Sequence, residues 1–375
     1  MMTGRRVLFT LVIVCAGVVA WAATVTPLLT EPDTPEYLEA VVELLAEAEE
    51  EVLVMISDLR YYGPELPASA PAKALAQAAS RGVEVRALVN LWRQPWDTQN
   101  QARELLEEAG AAFRWWEDPD GSLHAKALVV DGRYVLLGSS HWTWNALLDS
   151  VQVDLLVDSE KVAHVFVQLF GFLWEREDNV QVTYPEPPWP EEALLSLVQP
   201  PGTEVHLEIL SRLISRSERS VEVLIYRMAR YPGAWDSPSN LLLDELVAAV
   251  GRGVCVRVAL EGGEEFMDEA TVRGNRESAA YLLLSGVDVR LVPAGETMHA
   301  KLLVIDGRDV VVTSANWAYY SLARHAEAGV AVLGVPELAR QLQGLFLRVW
   351  ERSRRGVGAE AMRTERPRST LLQPT

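Results

Sequence analysis

Two stretches of this chain place a histidine, a lysine and an aspartate at the same spacing. One is His124-Ala125-Lys126 with Asp131, the other His299-Ala300-Lys301 with Asp306. Both read His-x-Lys-x4-Asp, and their histidines lie 175 positions apart. The chain has only six histidines and four lysines, and this pair uses two of each. A lone His-x-Lys is ordinarily surface charge, whereas two copies in register point to one active site built from two halves. Residues two apart on a strand project to the same face, so each His and Lys would present together. Two imidazoles facing one another across a cleft can divide the labour of displacement at phosphorus. One attacks as a neutral nucleophile, while the other, protonated, donates to the departing alkoxide and later activates water. Imidazole titrates near neutral pH, so opposite protonation states in one site are attainable. The lysines bring positive charge to the phosphoryl oxygens. The chemistry needs neither a metal nor a cofactor.

The surrounding pattern predicts elements able to carry these groups. A helix over 34–50 has apolar positions Leu38, Val41, Val42 and Leu45 at helical spacing, and 52–56 reads as a buried strand. Helices over 72–80 and 99–109 alternate with strands over 83–89 and 112–116, which lead to the first motif. The order then recurs: helix 206–217, strand 221–226, helix 240–250, helix 275–284 and strand 287–292 before the second motif. Arg252-Gly253-Val254 repeats Arg81-Gly82-Val83. So long a repeat means duplicated domains rather than a solenoid. Alternating helix and strand implies sheets covered by helices on both faces, the α/β class.

At 375 residues, 49% hydrophobic and 23% charged, the chain suits two globular domains. The divisions read as an export segment over 1–24, a first lobe over 25–183, a Pro-rich linker over 184–203, a second lobe over 204–355 and a basic, solvated tail over 356–375. Arg5-Arg6 precede an uncharged apolar run from Val7 to Ala23, and Ala20-Trp21-Ala22 fits a small-x-small cleavage site. This predicts export by a cleaved signal peptide, with an uncleaved membrane anchor as the alternative. The net charge of −18 disfavours a long nucleic-acid backbone as partner. Trp92, Trp96 and Trp235 in predicted loops would suit a lipid surface. Trp142, Trp144, Trp317, Tyr319 and Tyr320 divide between core and cleft mouth. His164, His206 and His325 follow no pattern and read as structural or solvated.

Gly138-Ser139-Ser140-His141 follows the first motif, and Thr313-Ser314-Ala315-Asn316 follows the second. With these extensions the chain, past its N-terminal run, resembles the phospholipase D superfamily. The resemblance implies two homologous α/β/α sandwich lobes related by pseudo-two-fold symmetry, with the active site at their interface. It implies a phosphohistidine intermediate, with His124 as nucleophile and His299 as leaving-group acid. Lys126, Ser139, Lys301, Ser314 and Asn316 would contact the phosphate, and Glu327 would orient a catalytic imidazole. Asp131 and Asp306 belong to the motif but hold the turn after each motif strand. The first half departs from the pattern twice. His141 stands where Asn is expected, as a phosphate contact or a wall residue, and Gln152 occupies the offset of Glu327, with Asp154 on the same strand face as a substitute. The implied substrate is a phosphodiester, with a phospholipid preferred and membrane contact expected. Phosphatidyl transfer, a nuclease and a non-catalytic envelope scaffold are the alternatives, and one chain suffices for a complete site.

Overall fold

The computed structural model describes residues 11–14, 23–32, 34–176, 180–183, 187–263 and 267–355. The first half runs β1 (Leu11–Val14), β2 (Thr24–Thr30), α1 (Glu36–Glu47), β3 (Glu51–Ile56), α2 (Ala70–Ser80) and β4 (Glu84–Asn90). It continues with α3 (Asp97–Glu108), β5 (Ala112–Trp116), β6 (Lys126–Val130), β7 (Tyr134–Gly138), β8 (Ser150–Asp158) and α4 (Glu160–Glu175). After β9 (Val180–Thr183), which pairs with β1, the order repeats. The second half holds β10 (Ala193–Gln199), α5 (Val205–Ser215), β11 (Ser220–Ile225), α6 (Pro238–Gly251), β12 (Cys255–Glu261), α7 (Glu269–Leu284) and β13 (Asp288–Val292). It closes with β14 (Thr297–Met298), β15 (Lys301–Ile305), β16 (Asp309–Thr313), α8 (Tyr319–Ala323), β17 (Glu327–Leu333), α9 (Pro336–Arg352) and β18 (Arg354–Arg355).

There are two eight-stranded sheets, one for each half, the first completed by β14 of the second half. In the first, β3, β4 and β5 are parallel, while β6, β7 and β8 continue antiparallel from the other side of β3. In the second, β11, β12 and β13 are parallel, and β15, β16, β17 and β10 continue antiparallel. The motif strands β6 and β15 therefore lie mid-sheet, next to β3 and β11. All five residues of each are buried, which the continuous apolar run after each lysine allows.

Three apolar cores stabilise this arrangement. One lies between the first sheet and α1 to α3, and one between the second sheet and α5 to α8. The third crosses the boundary: the inner faces of both sheets, with α4 and α9, share one cluster that includes Leu137, Val153, Phe170, Leu302, Val330 and Phe346. The two helices carry matching aromatic pairs, with Phe170 stacked on Trp174 and Phe346 on Trp350 at 5.3 and 5.5 Å. The halves are thus fused through a common interior, as a two-lobed α/β fold.

The linker expectation needs correction. Residues 193–199, inside the expected linker, form β10, a fully buried edge strand antiparallel to β17. Ala193-Leu194-Leu195-Ser196-Leu197-Val198 is too apolar to remain solvated, and it matches β2, which pairs with β8 in the first half. Part of the expected export segment, Leu11–Val14, is a strand, and the rest of it through residue 22 lies outside the described residues. Among the described residues no helix is long and apolar enough to cross a membrane. The expected basic tail over 356–375 lies outside the described residues.

Candidate active site

The residues just before each motif strand cross to the opposite lobe. Thr297 and Met298 pair in parallel with Ser150 and Val151 of β8, and the His299 N–H donates to the Val151 carbonyl at 2.9 Å. In the mirrored contact, Leu123 bridges to Ala326, and the His124 N–H donates to the Ala326 carbonyl, also at 2.9 Å. Each motif histidine is held by the partner lobe's backbone at the point where the sheets meet. A side chain in its own lobe steadies each crossing from behind: Asn90 accepts the Leu123 N–H, and Glu261 accepts the Met298 N–H. Burial pushes the Glu261 carboxyl up to about 7.

The same crossing sets the imidazoles. His124 Nδ1 lies 2.8 and 2.9 Å from the two carboxylate oxygens of Glu327, and Ser314 Oγ donates to that carboxylate in turn. His299 Nδ1 lies 3.1 Å from the Ser139 carbonyl and 3.2 Å from Gln152 Oε1, which also accepts from Ser139 Oγ at 2.7 Å. Glu327 therefore supports the histidine of the other motif copy, His124, and Gln152 supports His299. Both partners of His124 Nδ1 are acceptors, so the proton sits there and Nε2 keeps its lone pair, whereas His299 Nδ1 faces two acceptors and the Lys301 ammonium. A carboxylate behind an imidazole raises its basicity and stabilises its cation, which a neutral amide does more weakly.

Both lysines are buried, Lys126 at 2% and Lys301 at 0% exposure, and each Nζ donates to the carbonyl of its own motif histidine at 2.6 Å. Lys301 Nζ also lies 3.2 Å from each ring nitrogen of His299. Burial lowers Lys126 to about 7 and pushes Lys301 well down, against the opposing pull of Glu327 and Asp154. Burial, with the lysine charges next in size, holds His124 and His299 well below the usual histidine range.

Other expectations resolve differently. Ser139 and Ser314 are fully buried behind the site, tied to Gln152 and Glu327, so they anchor the orienting side chains instead of meeting a phosphate. Asp154 does not substitute for Gln152. Its oxygens accept from the Ser140 N–H at 3.1 Å and Ser140 Oγ at 2.6 Å, and burial raises it to about 7. Asp131 and Asp306 sit at the far ends of the motif strands and take no part in the cluster. Each has positive φ in a tight turn, and its carboxylate accepts backbone N–H groups, of Glu49, Glu50 and Glu51 or of Glu218, Arg219 and Ser220. Asn316 is 7% exposed, and among the described residues its Oδ1 has no partner.

Two rings join the site unannounced by the motifs. His325 lies 6.0 Å from His124 between ring centroids; its Nδ1 accepts the Ser122 N–H, and it stacks on Tyr320. Tyr226, directly after β11, lies 4.5 Å from His299 between ring centroids. His141 stands between the motif rings, 6.0 Å from His124 and 5.2 Å from His299. His206 is buried beneath the second lobe's motif extension, bonded to Thr313 Oγ1 at 2.7 Å. Trp142 and Trp317 belong to the core at 1% and 0% exposure, whereas Trp92, Trp96, Trp235 and Tyr320 are exposed. Among the described residues no group of three or more metal-ligating side chains could hold a metal ion.

Comparison with known proteins agrees with this two-half construction. A human mitochondrial cardiolipin hydrolase is 30% identical over 80 residues, which span 21% of this chain and 31% of that protein. The human 5'-3' exonuclease PLD4 is 29% identical over 149 residues, 37% of this chain and 28% of that protein, so the chain spans under a third of either relative. A virion nicking-joining enzyme of vaccinia virus is 22% identical over 318 residues, 74% of this chain and 73% of that enzyme. Among solved structures, the phosphatidylserine synthase of Haemophilus influenzae shares the fold with a TM-score of 0.68 at 14% identity, covering 88% of this chain and 87% of that one. The family model for a cardiolipin synthase, PLD-like domain matches twice, over residues 41–174 and 210–350. Each match takes in one motif histidine and most of one sheet, and the chain belongs to the phospholipase D superfamily of PLD-like phosphodiesterases.

Proposed function

We propose that this protein cleaves a phosphodiester by double displacement at phosphorus, with His124 as nucleophile and His299 as acid and then base. The observation that carries the reading is the reciprocal crossing between lobes, which brings both motif histidines to one place with Nδ1 of each already engaged. His124 Nε2 attacks phosphorus, and the Glu327 carboxylate balances the charge that grows on the ring. His299 takes up a proton as the anionic diester arrives and gives it to the departing oxygen. It then removes a proton from the water, or alcohol, that releases the phosphoryl group from His124. Lys126, Lys301 and Asn316 face the phosphoryl oxygens in this reading.

A phospholipid is the preferred substrate. The relative named a cardiolipin hydrolase, the acidic charge and the exposed Trp92, Trp96 and Trp235 support it. The relative named an exonuclease supports a nuclease reading, which the same assay separates. Arg5-Arg6 ahead of the apolar run supports export, with membrane contact following from the substrate. The test incubates the purified protein with anionic phospholipid vesicles, single-stranded DNA and a chromogenic phosphodiester. Headgroup release from vesicles, lowered at least ~1000-fold in His124→Ala and in His299→Ala, is expected. Full activity in both variants would refute the shared site, and salt-sensitive cleavage of DNA alone would shift the substrate to nucleic acid.

A further inference from the structure

The pseudo-two-fold relation places His141 where the second lobe carries Asn316. The two differ in one chemical respect: an amide has fixed donors, whereas an imidazole can gain a proton. Three observations mark His141 as more than a wall. It lies between the two motif rings, at 6.0 and 5.2 Å. Its Nδ1 is buried and, among the described residues, has no hydrogen-bond partner, which leaves a costly gap unless something else fills it. Its counterpart Asn316 likewise presents a buried, unpartnered Oδ1. Equivalent residues of the two lobes thus both hold unused buried polar atoms.

We propose that His141 is a proton-taking anion ligand of this site: its ring binds the phosphoryl group as an imidazolium, so that binding of the anion takes up a proton there. The groups facing His141 come from both motifs. His124 and Lys126 belong to the first and His299 and Lys301 to the second; burial first, and then these groups, push the His141 ring well below the usual histidine range. The carboxylates Glu327 and Asp154 lie further back, where they act on the lysines. A bound tetrahedral oxyanion reverses this balance, because an adjacent negative charge favours the protonated ring. A group whose pKa rises on binding adds affinity that is full at low pH. That affinity is lost as pH climbs through the pKa of the bound state.

The inference rests on the phosphoryl-binding reading of the site, but its test needs no turnover. Full-length protein carrying 15N-labelled histidine is titrated with acid by NMR, with and without inorganic sulfate, whose charge is constant near neutral pH. The His141 signal is identified by its absence in His141→Asn, or in His141→Gln if the first variant fails to fold. Sulfate is expected to raise the His141 midpoint by about one pH unit or more, equivalent to about tenfold tighter binding to the protonated ring. An unchanged midpoint at saturating sulfate would overturn the proposal. If His124→Ala is inactive while the His141 midpoint stays fixed, only this inference fails; an active His124→Ala removes the reading beneath it.

Discussion

At the scale of single residues, the two halves of the site differ most in what stands behind each imidazole. His124 has a carboxylate, Glu327, and His299 has an amide, Gln152, each reached across the lobe boundary. That asymmetry favours His124 as the ring that carries charge through the intermediate. Glu327→Gln keeps the shape and removes the charge, so it should lower kcat by about 100-fold or more with little change in KM, measured on the chromogenic diester. An unchanged kcat would mean the carboxylate only packs. The His-x-Lys pairs were legible because the same rare residue types recur at one spacing. The pairing of Glu327 with His124 was not, because a contact over 203 positions leaves no local trace. His325 was missed for a related reason: the equivalent position of the first half is Ser150, so no repeat draws the eye to it.

At the scale of elements, the motif aspartates and the edge strands carry the lesson. Asp131 ties the β6–β7 turn to the start of β3 through three N–H groups at 2.8 to 3.0 Å. Asp131→Asn should therefore cost about 1–2 kcal/mol in denaturant unfolding, since charge-assisted bonds weaken while the amide still tolerates positive φ. Its kcat should stay within about twofold of wild type; a large loss of activity in a stable variant would return Asp131 to the chemistry. Most helices and strands were readable from apolar period and glycine stops, with ends misplaced by a few residues. β10 was not, because the prolines around it signal a linker, and its seven buried residues reveal a strand only when β17 is there to pair. Gly138 and Asp154 show complementary packing that no single position discloses. A Cβ on Gly138 would collide with the Asp154 carboxylate, whereas the second half has Thr313 against Gly329.

At the scale of the whole molecule, the site exists only because the lobes share an interior. The cluster joining Val153, Phe170, Val330 and Phe346 runs through both sheets, and β14 of the second half adds to the first half's sheet. Neither lobe can expose that face without losing a large apolar area, so the two should melt as one cooperative unit. Scanning calorimetry should show a single transition with equal calorimetric and van't Hoff enthalpies; two resolved transitions would mean the lobes are separately stable and the site adjustable. The duplicated α/β architecture was visible in the repeat, but the depth of the fusion was not, because apolar residues facing a second lobe look the same as those facing a helix. Double displacement requires a covalent bond between His124 and phosphorus. Rapid quenching under alkaline conditions during turnover of a phosphodiester, followed by peptide mass spectrometry, should find the phosphoryl adduct on the His124 peptide and none in His124→Ala. Turnover with no adduct, or an adduct on His299, would contradict it.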